Sequence, residues 1–198
     1  LLVKELKKIF SDSNFLVTTS TVTGSNEVTK SFGSEVAHQY LPYDLNGVIK
    51  KFLINLNPKC LILVETEVWP NLISNCKKAE IPLILLNGRM SKKSLSNYQK
   101  FPKFFNKIFS KLDLVVAQSA SDLENFKKLG VASKFITKDY SLKFSKLSSD
   151  ESFKSIRKIQ YLQSLYQTPA SVNFFLTSCH VPCMVCHERH IDILQSLF

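Results

Sequence analysis

The chain has 198 residues, 44% hydrophobic and 21% charged, a balance that excludes a disordered or fibrous protein and suits one ordinary domain, or one with part of a second attached. Its longest apolar stretches, Cys60 to Val64 and Ile81 to Leu86, are far shorter than the roughly 20 residues that cross a bilayer. With 26 basic residues against 16 acidic ones the formal net charge is +10, which favours an anionic partner.

Taken in chain order, Leu2, Val3, Leu6, Ile9 and Phe10 recur among lysines at the spacing of one buried helix face. Phe15-Leu16-Val17-Thr18-Thr19 reads as a buried strand, and a helix is predicted from Ser25 to Phe32, stopped by Gly33. His38 precedes a strand-like stretch and is expected to be structural. After the turn-rich Leu41-Pro42-Tyr43-Asp44, the positions Leu45, Val48, Ile49, Phe52, Leu53 and Leu56 predict an amphipathic helix that Pro58 ends. The unit then recurs: strand 60–65, helix from Pro70, strand 82–87, one long helical stretch 91–111, strand 113–118. Ser119 and Asp122 form a capping box for a helix closing at Gly130, and a short strand 134–137 follows.

Strands alternating with helices at intervals of roughly 25 residues are the signature of βαβ crossovers, so the predicted fold is α/β with a doubly wound parallel sheet. Residues 145–167 turn to Ser, Lys and Gln and read as a linker or amphipathic helix. Residues 172–177 read as the first strand of something else. The expected organisation is a Rossmann-like domain at 1–145, then a linker and the truncated start of a second domain at 146–198. The chain opens on Leu1 rather than Met and carries no signal peptide, so it reads as a fragment.

Open α/β sheets bind ligands at the carboxyl ends of their strands, where four polar clusters fall: Thr18-Thr19-Ser20, Glu65-Thr66-Glu67, Asn87-Gly88-Arg89 and Gln118-Ser119. Together with a helix N-terminus they suit a phosphorylated or sugar-like ligand. Glu65 is the sharpest candidate, because an acid closing an apolar strand either pairs, here with Arg89, or works. Trp69, beside a proline at the start of a helix, is expected to anchor packing. The absence of G-x-G-x-x-G and of a Walker loop argues against a dinucleotide or P-loop enzyme. All basic residues but Arg89, Arg157 and Arg189 are lysines, which fits a membrane surface or a phosphorylated substrate better than nucleic acid, although a compositional lysine bias would give the same count.

Five cysteines, an odd number, argue against a secreted disulfide framework. Cys60 and Cys76 lie in apolar segments, whereas Cys179, Cys183 and Cys186 crowd together. Cys183-Met184-Val185-Cys186-His187 matches the haem-attachment pattern C-x-x-C-H, but that chemistry needs export, and a lone C-x-x-C is a weak zinc signal. No metal site and no cofactor is expected.

The runs Val17-Thr18-Thr19-Ser20-Thr21-Val22-Thr23-Gly24-Ser25, Tyr40-Leu41-Pro42-Tyr43-Asp44-Leu45, Val64-Glu65-Thr66-Glu67-Val68-Trp69-Pro70-Asn71-Leu72, Leu86-Asn87-Gly88-Arg89-Met90-Ser91 and Val116-Ala117-Gln118-Ser119 resemble the N-terminal half of 3-deoxy-D-manno-octulosonic acid (Kdo) transferases, in order and spacing. The resemblance covers residues 1–145 closely and the remainder loosely. It implies the N-terminal Rossmann-like domain of a two-domain GT-B glycosyltransferase that moves Kdo from CMP-Kdo to the lipid A precursor in lipopolysaccharide core synthesis. It further implies attachment to the cytoplasmic face of the bacterial inner membrane and no catalytic metal.

By position the resemblance implies catalytic roles for Glu65, the first Glu of the family's E-T-E block, and for Lys143, the Lys of its L-K-F motif. Lys143 would offset charge on the departing CMP phosphate, and Glu65 would orient the acceptor or balance an oxocarbenium-like sugar. Thr19, Arg89 and Gln118 are the expected substrate-binding residues. Several family features are altered or missing. The S-V-G-E motif with its general base lies upstream of Leu1, T-G-N-L-K-F is interrupted in Thr137-Lys138-Asp139-Tyr140-Ser141-Leu142-Lys143-Phe144, and S-T-H-x-G-E-E survives only as Ser178-Cys179-His180. The chain is therefore expected to be inactive by itself, since loss of a general base alone costs about 10²- to 10⁴-fold. The alternative is a non-catalytic module that holds an anionic lipid or a partner.

Overall fold

Aliphatic runs become strands here because helices cover both of their faces. In the computed structural model, which describes residues 2–138 and 173–177, the order is α1 (Leu2–Ile9), β1 (Asn14–Thr19), α2 (Val22–Phe32), β2 (Ala37–Tyr40), α3 (Asn46–Leu56), β3 (Cys60–Val64) and α4 (Pro70–Lys78). There follow β4 (Leu83–Gly88), α5 (Lys92–Tyr98), α6 (Pro102–Phe109), β5 (Leu114–Ala117), α7 (Ala120–Lys128), β6 (Ile136–Lys138) and β7 (Asn173–Thr177). The strands form one parallel sheet in the order β2-β1-β7-β3-β4-β5-β6.

Alternate residues of each central strand feed two cores. Leu61, Leu63, Leu83 and Leu85 pack with α3 to α7 through Ile49, Leu53, Leu72, Ile73, Phe105, Phe109 and Phe126. Cys60, Ile62, Val64, Ile84 and Leu86 face the other way, toward Val3 and Leu6 of α1 and Val28 and Phe32 of α2. The β1-α2-β2 crossover runs in one direction along the sheet and β3-α4-β4 in the other, with α2 and α4 on opposite faces. A uniform right-handed crossover demands that arrangement. The expected doubly wound α/β sheet is therefore present.

Four elements differ from expectation. The stretch 91–111 is two helices, because Pro102 has no N–H to continue the first and holds Phe101 outside helical geometry (φ −127°, ψ 63°). The helix expected from Ser25 starts at Val22, where the Thr21 side chain accepts from Gly24 N. Lys134 falls in a 3-10 turn (Ser133–Phe135) before β6. The strand at 173–177, read as the start of a separate unit, fills the centre of the sheet instead: Leu16 pairs with Phe175 and Val17 with Leu176 on one side, Cys60 with Phe174 and Leu63 with Thr177 on the other. A strand covered on both faces is a continuous apolar run, and that pattern does not specify which sheet it joins.

Gly88 closes β4 against α7: a Cβ there would lie 2.9 Å from Phe126 Cε2, in a ring with no exposed surface. Gly88→Ala should therefore destabilise the fold by about 1–3 kcal/mol, the usual cost of overpacking, read as a lower urea midpoint at unchanged m-value.

Candidate functional site

The crossovers part between β1 and β3, with β7 filling the interval, and the polar clusters line the carboxyl edge on both sides of it. Backbone hydrogen bonds carry the ladder beyond the strands. Leu41 N donates to Thr19 O at 3.0 Å, Glu65 N to Leu86 O at 2.9 Å and Gln118 N to Gly88 O at 2.9 Å. The ends of β1, β3, β4 and β5 are thereby held at one rim.

Thr66 links two of these ends. Its Oγ1 accepts from Arg89 N at 2.9 Å and donates to Arg89 O. From the other side Asp122 Oδ1 accepts from Met90 N at 2.6 Å and Asn125 Nδ2 donates to Met90 O at 2.9 Å. The backbone of the loop is thus fixed while the Arg89 guanidinium is exposed to solvent. A planar fork on a fixed backbone suits bidentate recognition of a phosphate.

Glu65 is half-buried and sits at φ +65°, directly after β3. No ion pair joins it to Arg89, so the structural pairing left open by the sequence is not the arrangement adopted. Asn87, the residue after Leu86, which pairs with Val64, also has a left-handed backbone (φ +54°). It is 7% exposed, and its Oδ1 has no hydrogen-bond partner. Left-handed residues that are not glycine thus stand just after β3 and one residue before the end of β4, each costing on the order of 1–2 kcal/mol.

Thr19 is 3% exposed, with its Oγ1 3.1 Å from His38 Nε2; the His38 ring meets Tyr40 edge-on at 5.9 Å. Ser20 beside it is exposed, and the first turn of α2 contains no acidic residue. Gln118 is half-buried at the same rim as Arg89. Lys143 and the cysteines 179, 183 and 186 lie outside the described residues. Burial pushes the Cys76 thiol up to about 12, and desolvation raises that of Cys60 further, so both act as small apolar core residues.

Sequence reading missed the contact that holds the Glu65 loop. Trp69, at the N-cap of α4, makes no capping bond; Asp44, 27 residues before the Asn71 N–H that it caps, does so instead. Asp44 Oδ2 accepts from Asn71 N at 3.0 Å, its Oδ1 accepts from Leu72 N at 2.8 Å, and Asn71 Nδ2 donates to Asp44 O at 2.6 Å. Trp69 packs on the core and its Nε1 donates to Glu67 Oε2 at 3.0 Å. Pro42-Tyr43-Asp44 carried a turn signal but nothing that located the distant helix.

Asp44→Ala should lower stability by about 1–2 kcal/mol, the cost of a lost cap, with Asp44→Asn recovering part of it in urea denaturation. The same replacement should speed amide exchange at Asn71 and Leu72 ahead of the β3 core.

A family model described as 3-deoxy-D-manno-octulosonic-acid transferase (kdotransferase) matches residues 1–146. The 3-deoxy-D-manno-octulosonic acid transferase of Haemophilus influenzae is 32% identical over 166 residues, which cover 84% of this chain and 38% of that protein. The transferase of the same description from Rickettsia bellii is 35% identical over 131 residues, 66% of this chain and 31% of the relative. A bifunctional glycosyltransferase/methyltransferase of Fusobacterium nucleatum is 32% identical over 164 residues, 81% of this chain and 25% of the relative. The chain thus spans 38% or less of the length of these relatives. With the E-T-E-x-W-P-N block following β3 at the strand-end rim, and with the match covering the ends of β1, β3, β4 and β5, the chain belongs to the 3-deoxy-D-manno-octulosonic-acid transferase family.

Proposed function

We propose that this chain is the acceptor-side part of an enzyme that transfers Kdo from CMP-Kdo to the lipid A precursor in lipopolysaccharide synthesis. The observation that carries the reading is the strand-end rim, where a half-buried Glu65 and an exposed, backbone-clamped Arg89 lie on adjacent strands of a Kdo transferase domain. Arg89 takes a phosphate of the acceptor, and Gln118 and Thr19 border the same crevice. Glu65 orients the acceptor or balances positive charge on the transferred sugar, while Lys143 offsets the charge on the departing CMP phosphate. The resemblance implies that a general base and a CMP-binding donor site complete the enzyme beside the matched residues 1–146.

The place of work we propose is the cytoplasmic face of the inner membrane. No helix among the described residues is long and apolar enough to cross a membrane. The net charge of +10 supplies attraction to an anionic lipid surface.

Transfer of labelled Kdo from CMP-Kdo to lipid A precursor in mixed micelles tests this reading. The chain alone should bind the acceptor without turnover, and its fusion to the C-terminal part of the Haemophilus influenzae relative should transfer once a general base is supplied. In that fusion Glu65→Ala should lower kcat about 10²- to 10⁴-fold. Arg89→Ala should chiefly raise the acceptor KM, about tenfold or more, as lost ground-state binding does. Acceptor binding with no transfer by the fusion would favour the non-catalytic module.

A further inference from the structure

The backbone accounts for part of Asn87. Asparagine tolerates φ +54° better than most residues, and glycine would tolerate it at least as well. What the backbone leaves unexplained is the side chain, whose Oδ1 is buried without a donor. An acceptor taken from water and given nothing in return costs the full desolvation penalty, and such groups in folded proteins call for an explanation. Ser13 Oγ is the other such atom among the described residues, and it lies before β1, at the opposite edge from the crevice.

The neighbours of Asn87 point to its complement. The backbone hydrogen bond from Glu65 N to Leu86 O sets Glu65 beside Asn87 at the ends of adjacent strands. The Glu65 carboxylate disfavours a phosphate there, and a group with O–H donors would satisfy both that carboxylate and Asn87 Oδ1. The cation of the rim is Arg89, two residues on, with its backbone held by Thr66.

We propose that Asn87 is a substrate-binding residue of the acceptor crevice: its Oδ1 accepts a hydrogen bond from a sugar hydroxyl of the acceptor that Glu65 also faces. This rests on the acceptor-side reading above and adds a division of the crevice. Hydroxyls are recognised at Glu65 and Asn87, and phosphate is recognised at Arg89. A site built to pair a hydroxyl discriminates sharply against an analogue that lacks it, because the protein's own polar group is then left buried and unpaired.

The test uses the whole chain and a soluble probe, the bisphosphorylated glucosamine disaccharide of lipid A, with a series of analogues each lacking one hydroxyl. Binding is measured by calorimetry and by side-chain amide NMR. Wild type should lose about tenfold or more in affinity for one analogue and little for the others. Asn87→Gly, which relieves the backbone strain, should melt at or above the wild-type temperature, lose a similar factor for the parent disaccharide, and no longer distinguish that analogue. Equal wild-type affinity for every analogue overturns the inference without any variant. So does an Asn87→Gly that binds the parent as wild type does, or one whose loss is the same for all analogues. Absence of any binding by wild type overturns the acceptor-side reading and this inference with it, a signature distinct from failure of the inference alone.

Discussion

The carboxylate of Asp44 on the first turn of α4 is the constraint from which the rest of the rim follows. β3 is fixed between β7 and β4, and α4 is fixed by its cap and its core contacts, so the segment Glu65 to Trp69 must close a short gap between two immobile ends. Glu65 takes a left-handed backbone to make that closure. Thr66 is thereby brought to the Arg89 peptide, and the Arg89 loop gains its second attachment there, the first being Asp122 and Asn125 of α7. One carboxylate thus organises, through two backbone N–H groups, the elements that present Glu65, Asn87 and Arg89 together.

Much of this was legible in the sequence, for identifiable reasons. β3 and β5, and the runs Phe15 to Val17 in β1 and Leu83 to Leu86 in β4, are apolar throughout because both faces of the sheet are buried there, and such runs are read easily. Glu65 stood out because it interrupts that pattern at a strand end. Pro102 was equally visible, but the apolar spacing continued across it from Leu95 to Phe109, and periodicity outweighed a local break that sterics make decisive. The placement of β7 was not legible, because Phe174-Phe175-Leu176 would complete any doubly covered sheet. Nor were the cap from Asp44 and the orphaned oxygen of Asn87, since each depends on groups brought together only by the fold.

The charges divide into two kinds. Several lysines are engaged on the surface, Lys7 with Glu35, Lys127 with Glu124 and Lys77 with Asp113, and the exposed pairs among these contribute about 0–1 kcal/mol each. They hold little of the fold together. Their surplus over acids acts at longer range, as a field that concentrates anionic lipid near the protein and weakens as salt rises.

Arg89 differs from these lysines in kind. It is the single arginine among the described residues, and it stands at the one rim where its backbone is clamped on both sides. A flexible ammonium attracts a phosphate from any direction, whereas a guanidinium on a fixed loop accepts it in one orientation. Attraction by the lysine surface and orientation by Arg89 are therefore separable, and salt should weaken the first far more than the second. Orientation is what a transferase requires of its acceptor, because a reacting hydroxyl misplaced by an ångström can cost about a hundredfold in rate. With Arg89 fixing the charged group, residues on the neighbouring strand ends are left to select and align the hydroxyl that reacts.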